Sequence, residues 1–177
     1  MKLIGKISVI SLLFTSTIAL ASNETIQNSS AVNKSSCNKM VNTAQPFILV
    51  LNKDDDLIED ITQCAKDAKL IGATVSGLGQ LHNPVLAYFS SDPNAKPTLT
   101  KFSGFYELAS LNGDITNNSG KYYTHLHATL ADKKFHGIAG HVNGAKVGQT
   151  AEIIITPLSA PLERTVNSKT GFGPIVS

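Results

Sequence analysis

Arginine is almost absent from this chain: of 15 basic side chains, only Arg164 is an arginine. The guanidinium is the side chain that best grips phosphates and base edges, so its scarcity argues against a nucleic-acid surface. No surplus of lysine replaces it. The first 21 residues carry Lys2 and Lys6 and no acid, so without them 13 basic residues face 13 acidic ones. Neither the net positive charge nor the basic stripe of a nucleic-acid binder remains. Also missing are an internal repeat, a Walker-type loop, a dinucleotide fingerprint and a Gly-x-Ser-x-Gly elbow. These absences remove the local signatures of P-loop enzymes, Rossmann dehydrogenases and serine hydrolases.

Long hydrophobic runs are lacking too. The one extended apolar stretch, Ile7 to Leu20, is interrupted by Ser11, Thr15, Ser16 and Thr17, and a membrane anchor needs about 20 apolar residues. With Lys2 and Lys6 before it and Ala19-Leu20-Ala21 after it, the pattern predicts a signal peptide over residues 1–21, cut before Ser22. The expected product is periplasmic or secreted, without membrane contact after cleavage.

Cysteine is scarce, with only Cys37 and Cys64. The roughly 156 residues left after cleavage suffice for one domain with a real core, so disulfides are optional. An oxidising compartment would permit the two to pair and pin the N-terminal arm to the domain. The alternative is a free, half-buried Cys64 and a loose Cys37.

What is present divides the chain into a polar leader over 22–43, a domain over 44–172 and a tail over 173–177. The leader is rich in Ser, Asn, Lys and Thr, too poor in apolar residues to offset the entropy of ordering. Its three Asn-x-Ser/Thr triplets are what such a composition produces by chance. Phe47-Ile48-Leu49-Val50-Leu51 predicts a buried strand. Asp54, Asp55 and Asp56 supply a cap and favourable charge for a helix start, and Leu57, Ile58, Ile61, Ala65 and Ala68 recur at helical spacing to about Leu70. After Gly72 the period becomes two, with strands expected over 73–76, 85–90, 98–111, 121–131, 135–142 and 151–157. Turns are expected at 92–94, at Asn112-Gly113-Asp114 and at 117–120. One helix followed by successive strands predicts an α+β fold with a mostly antiparallel sheet. Ser76-Gly77-Leu78-Gly79 could turn backbone N–H groups toward an anion, but glycine's first use in such a run is conformational.

Residues 121–141 hold the densest chemistry. Tyr123, His125, His127 and Thr129 share one strand face, while Tyr122, Thr124, Leu126, Ala128 and Leu130 share the core face. A hairpin with Asp132-Lys133-Lys134 as its loop would pair Ala131 with Phe135, His127 with Ala139 and His125 with His141. Three imidazoles would then meet on one face, which with an open fourth position is the ligand set of a divalent metal such as Zn²⁺. The other reading makes them ordinary polar residues of an exposed or subunit-facing strand. His136 falls on the opposite face and His82 in a turn, so neither belongs to the set. Glu107, a carboxylate inside an apolar strand, is a candidate fourth ligand or general acid/base, or else a satisfied buried acid.

Several ordered segments resemble the PPC domain shared by plants and prokaryotes. They are 47–51 with 55–58, Ala73-Thr74-Val75-Ser76-Gly77-Leu78-Gly79, Gly104 through Gly113, His125-Leu126-His127-Ala128, Gly140-His141-Val142 and Ala151-Glu152-Ile153-Ile154-Ile155. The resemblance covers about Pro46 to Gly171. It implies a strongly bent antiparallel sheet with one main helix packed on it, assembled as a homotrimer. It also implies that His125, His127 and His141 match the histidine pattern of prokaryotic members, a metal or small-ligand site. Ala139 stands where that pattern usually has glycine. The family's DNA-binding label comes from members with Arg-Gly-Arg-centred AT-hooks, and this chain has none. The expected function is an exported trimeric binding module with a three-histidine site for a metal or small molecule. The alternatives are a metal-dependent hydrolase or lyase with Glu107 as base, and DNA binding by family analogy.

Overall fold

The computed structural model describes residues 31–92, 94–171 and 173–176. The expected signal peptide and the stretch 22–30, with two of the three Asn-x-Ser/Thr triplets, lie outside the described residues. From Ala31 onward the leader is folded, which corrects the expectation of a loose arm to residue 43. β1 (Ala31–Asn33) pairs parallel to β2 (Phe47–Asn52), and a 3₁₀ helix (Lys34–Met40) follows β1. Ordering here has two causes that composition does not display. Cys37 and Cys64 form a disulfide, and the Lys34 ammonium lies against the carboxylates of Asp55 and Asp60.

α1 (Leu57–Asp67) begins where expected, with the Asp56 side chain accepting from Glu59 N at 3.0 Å. That bond satisfies one of the donors left open at a helix start. Leu57, Ile61, Cys64 and Ala65 make its buried stripe, and the disulfide anchors that stripe to the 3₁₀ helix. In β2, Phe47, Leu49 and Leu51 point into the core while Ile48 and Val50 are only partly covered.

The remaining strands are divided differently from what the turn signals suggest. β3 spans Ala73–Tyr88, β4 Thr98–Lys101, β5 Phe105–Asn118, β6 Lys121–Ala131, β7 Gly137–Pro157 and β8 Glu163–Arg164. The expected strands 73–76 and 85–90 merge into β3, which absorbs Gly79 and Pro84 through register shifts. The expected strand 98–111 splits, with Gly104 at φ +96° between β4 and β5. Asn112-Gly113-Asp114 is no turn and lies inside β5. A Cβ at Gly113 would overlap the carbonyl oxygen of His125 on β6, so the glycine serves close strand approach and not chain reversal.

The sheet order is β1-β2-β7-β6-β5-β3-β4, and β7 additionally pairs with β3. Pairing therefore returns on itself through β7, β6, β5 and β3, which requires strong bending of the strands. The sheet is mixed: β1–β2 and β5–β8 are parallel, and the long strands pair antiparallel. α1 packs against β2, β6 and β7, over a core that includes Leu49, Ile61, Leu126, Leu130 and Ile153. Among the described residues, no helix is long and apolar enough to cross a membrane.

Candidate metal centre

β6 and β7 form the hairpin that builds the site, but the register differs from the expected one by two residues. His127 is the direct partner of His141, Thr129 pairs with Ala139, and Ala131 with Gly137. The loop is longer than three residues because Asp132 organises it. Its Oδ1 accepts from the N–H groups of Lys134 at 2.8 Å and His136 at 2.9 Å, and Phe135 adopts φ +63°. A two-residue shift preserves the face on which each side chain lies. His125, His127 and His141 therefore still converge.

Their ring centroids are 5.0 Å apart for His125 and His141, 5.3 Å for His125 and His127, and 5.4 Å for His127 and His141. One ring nitrogen from each lies within 4.8 Å of the others. Nitrogens on one tetrahedral ion at about 2.0–2.1 Å are roughly 3.3 Å apart, so modest ring rotations would bring all three onto a shared ion.

His141 carries the sharpest signal. Its Nδ1 is buried with no hydrogen-bond partner, a state whose desolvation cost a ligand or metal would relieve. Phe89 meets the ring edge-on at 5.2 Å between centroids. Burial, reinforced by the charges of His125, His127 and Arg164, lowers the pKa of His141 to about 4. Burial and then His125 lower that of His127 as well. Both rings are thereby held neutral, the form that binds metal.

Behind His125 stands a second layer that the sequence did not disclose. Asp114 Oδ2 lies 3.5 Å from His125 Nδ1. Arg164, only 6% exposed, directs Nη2 at both Asp114 oxygens, at 2.9 and 3.0 Å. The guanidinium also lies 5.6 Å from the centre of the Tyr123 ring. Burial alone would raise the pKa of Asp114, but His125 and Arg164 outweigh it and hold the carboxyl below its ordinary value. A carboxylate on one imidazole nitrogen fixes the tautomer and presents the other nitrogen to a metal. The only hints in sequence were the solitary arginine and an acid misassigned to a turn.

The site opens into a cavity of about 310 Å³, lined by the three histidines, Phe89, Tyr123 and Arg164 and closed by residues of the C-terminal segment. Glu107 does not take part. It is exposed on β5, accepts from Gln80 Nε2 at 3.0 Å, and is neither the fourth ligand nor a buried acid. His82 lies in β3 and not in a turn, stacked on Phe105. His136 is held by Asp132 at 3.2 Å in the hairpin loop. Ser76 to Gly79 run within β3 and form no anion loop.

A bent, self-closing sheet capped by one helix, with a histidine cluster on a central hairpin, defines a small α+β domain class. The chain belongs to the Plants and Prokaryotes Conserved (PCC) domain family, whose model matches residues 38–159. No curated protein matches the sequence. Among solved structures, a plant- and prokaryote-conserved protein of Pyrococcus horikoshii is similar at TM-score 0.68 and 23% identity, covering 75% of this chain and 92% of its own. A metal-containing protein of Archaeoglobus fulgidus matches at TM-score 0.67 and 23% identity, over 75% of this chain and 94% of its own. A Bacteroides thetaiotaomicron protein with a provisional DNA-binding designation matches at TM-score 0.69 and 21% identity, over 76% and 93%. At these identities the likeness concerns the fold.

Proposed function

We propose that this PCC-domain protein is an exported, homotrimeric binding module that holds one divalent metal ion, Zn²⁺ foremost, on His125, His127 and His141. The observation that carries the reading is the convergence of three imidazoles, one nitrogen from each within 4.8 Å of the others, with the Nδ1 of His141 buried and unpartnered. Three neutral imidazoles suit Zn²⁺, Ni²⁺, Cu²⁺ or Fe²⁺ and leave a coordination position open toward the cavity. A metal there would supply Lewis acidity to a small molecule bound in the cavity. The protein's own residues supply the rest: Asp114 orients His125, and Phe89 and Tyr123 restrict water.

The Cys37–Cys64 disulfide supports export, because such bonds persist in oxidising compartments. Support for self-association comes from Leu78 and Ile154, exposed at 56% and 42%. The register places Ile154 opposite Ser76, two residues from Leu78 on the same face. A nucleic-acid role finds no support in the one arginine, which is buried and occupied by Asp114. A hydrolase or lyase would need a base other than Glu107.

Elemental analysis of protein produced from the full chain and purified without chelator, beside a His125→Ala/His127→Ala variant, tests the site. About one metal per chain, lost in the variant, is the expected result. No metal in either protein, even after incubation with Zn²⁺, overturns the reading.

A further inference from the structure

The outer wall of the histidine cavity comes from a segment beyond the family span. The family domain matches to residue 159, whereas Gly171, Gly173 and Pro174 line the cavity. Arg164 fastens that segment. Its Nη1 donates to the Gly173 carbonyl, its Nη2 to Asp114 and its Nε to Thr116 Oγ1 at 3.3 Å. Ile175 forms a bridge with Arg164, and Val176 N donates to the Glu163 carbonyl at 3.0 Å. All three guanidinium nitrogens are thus engaged inside the protein, and the Asp114 charge is balanced there.

The charge balance of the cavity follows. Among the described residues lining it there is no carboxylate, so a divalent cation on the three imidazoles would keep its charge uncompensated by them. A charge removed from water needs a partner of opposite sign. Phe89, Tyr123 and Pro174 meanwhile offer apolar surface to whatever occupies the open position, and about 310 Å³ is at the small end of ligand cavities. One aromatic ring or a short branched chain fills such a space.

We infer that Gly171, Gly173 and Pro174 form a specificity-determining wall, and that the open metal position takes a compact monocarboxylate whose apolar body packs against Phe89, Tyr123 and Pro174. The inference rests on the three-histidine metal reading above. The carboxylate would neutralise part of the metal charge, and the strap would select the body behind it.

Protein produced from the full chain is loaded with Co²⁺, whose visible absorption reports its ligands, and titrated with acetate and with benzoate. Benzoate is expected to shift the spectrum at concentrations at least tenfold lower than acetate. Two variants remove the wall: deletion of 171–177, and Gly173→Val, whose added side chain would overlap Val166 and displace the strap. In both, the preference for benzoate is expected to fall to less than twofold while Co²⁺ stays bound. An unchanged preference in the variants overturns the inference, as does the absence of any carboxylate response in the cobalt protein. Failure of the unaltered protein to take up Co²⁺ overturns the metal reading itself, and the inference with it.

Discussion

His127 on β6 and His141 on β7 are direct cross-strand partners, and His141 is paired on its other side with Ala87 of β3. His141 is therefore fixed between two strands, which accounts for the burial of its Nδ1 and places the least hydrated imidazole at the back of the cavity. His125, two residues along β6, closes the triangle.

The lowered pKa of His141 sets a pH dependence for the metal-free protein. A histidine at about 4 in the folded state and 6.5 unfolded means that the unfolded chain binds more protons between those values, so stability rises with pH there. The metal-free protein is expected to lose thermal stability as pH falls from about 6.5 toward 4. His141→Gln should flatten that dependence. Melting temperature against pH for both proteins measures it, and parallel curves would count against a neutral buried His141.

Asp114→Asn keeps the shape behind His125 but leaves the Arg164 charge without its counterion. Metal affinity is expected to weaken by roughly 10–100-fold, the usual effect of losing a carboxylate behind a metal-bound histidine. Thermal stability should fall as well, since a buried guanidinium left unpaired is costly. Competition for Zn²⁺ with a chromophoric chelator reads the first effect and thermal unfolding the second.

Gly113→Ala places a methyl group against the carbonyl of His125. The strands must separate locally, with a loss of about 1–3 kcal/mol for an overpacked interior position and a displaced His125. Denaturant unfolding together with metal stoichiometry tests this. A variant with native stability would refute the close-approach account of this glycine.

Reduction of Cys37–Cys64 releases a constraint across a sequence separation of 27. A loop of that size is worth about 3.5 kcal/mol in chain entropy. The double Cys37→Ser/Cys64→Ser variant should unfold at lower denaturant with its metal content retained, because the bridge joins α1 to the 3₁₀ helix, away from the histidines. Loss of metal would show that the N-terminal arm also supports the site.

Glu107→Gln is expected to leave metal content and affinity unchanged, since the side chain is exposed and bonded to Gln80. Equilibrium Zn²⁺ binding decides this directly.

Local chemistry alone determined much of the protein. Helix start and cap follow from Asp56 and the spacing of Leu57, Ile61 and Ala65, because a cap and an amphipathic stripe are properties of neighbouring residues. The three histidines were legible for a related reason: side chains alternate along a strand, so a two-residue error in the β6–β7 register leaves each on its own face. Strand lengths were not legible. Gly113 and Pro84 carry the local signature of turns, and only the close approach of β6 and the register shifts of β3 make them strand residues. The exposure of Glu107 was likewise hidden, since an acid within an apolar run does not tell which face the closed sheet turns to water. Asp114, Thr116, Arg164 and Gly173 meet only through tertiary contact, as does the leader through Cys37 and Cys64. Such partners lie far apart in sequence and answer to no periodicity, so only the closure of the sheet and the return of the C-terminal segment decide them.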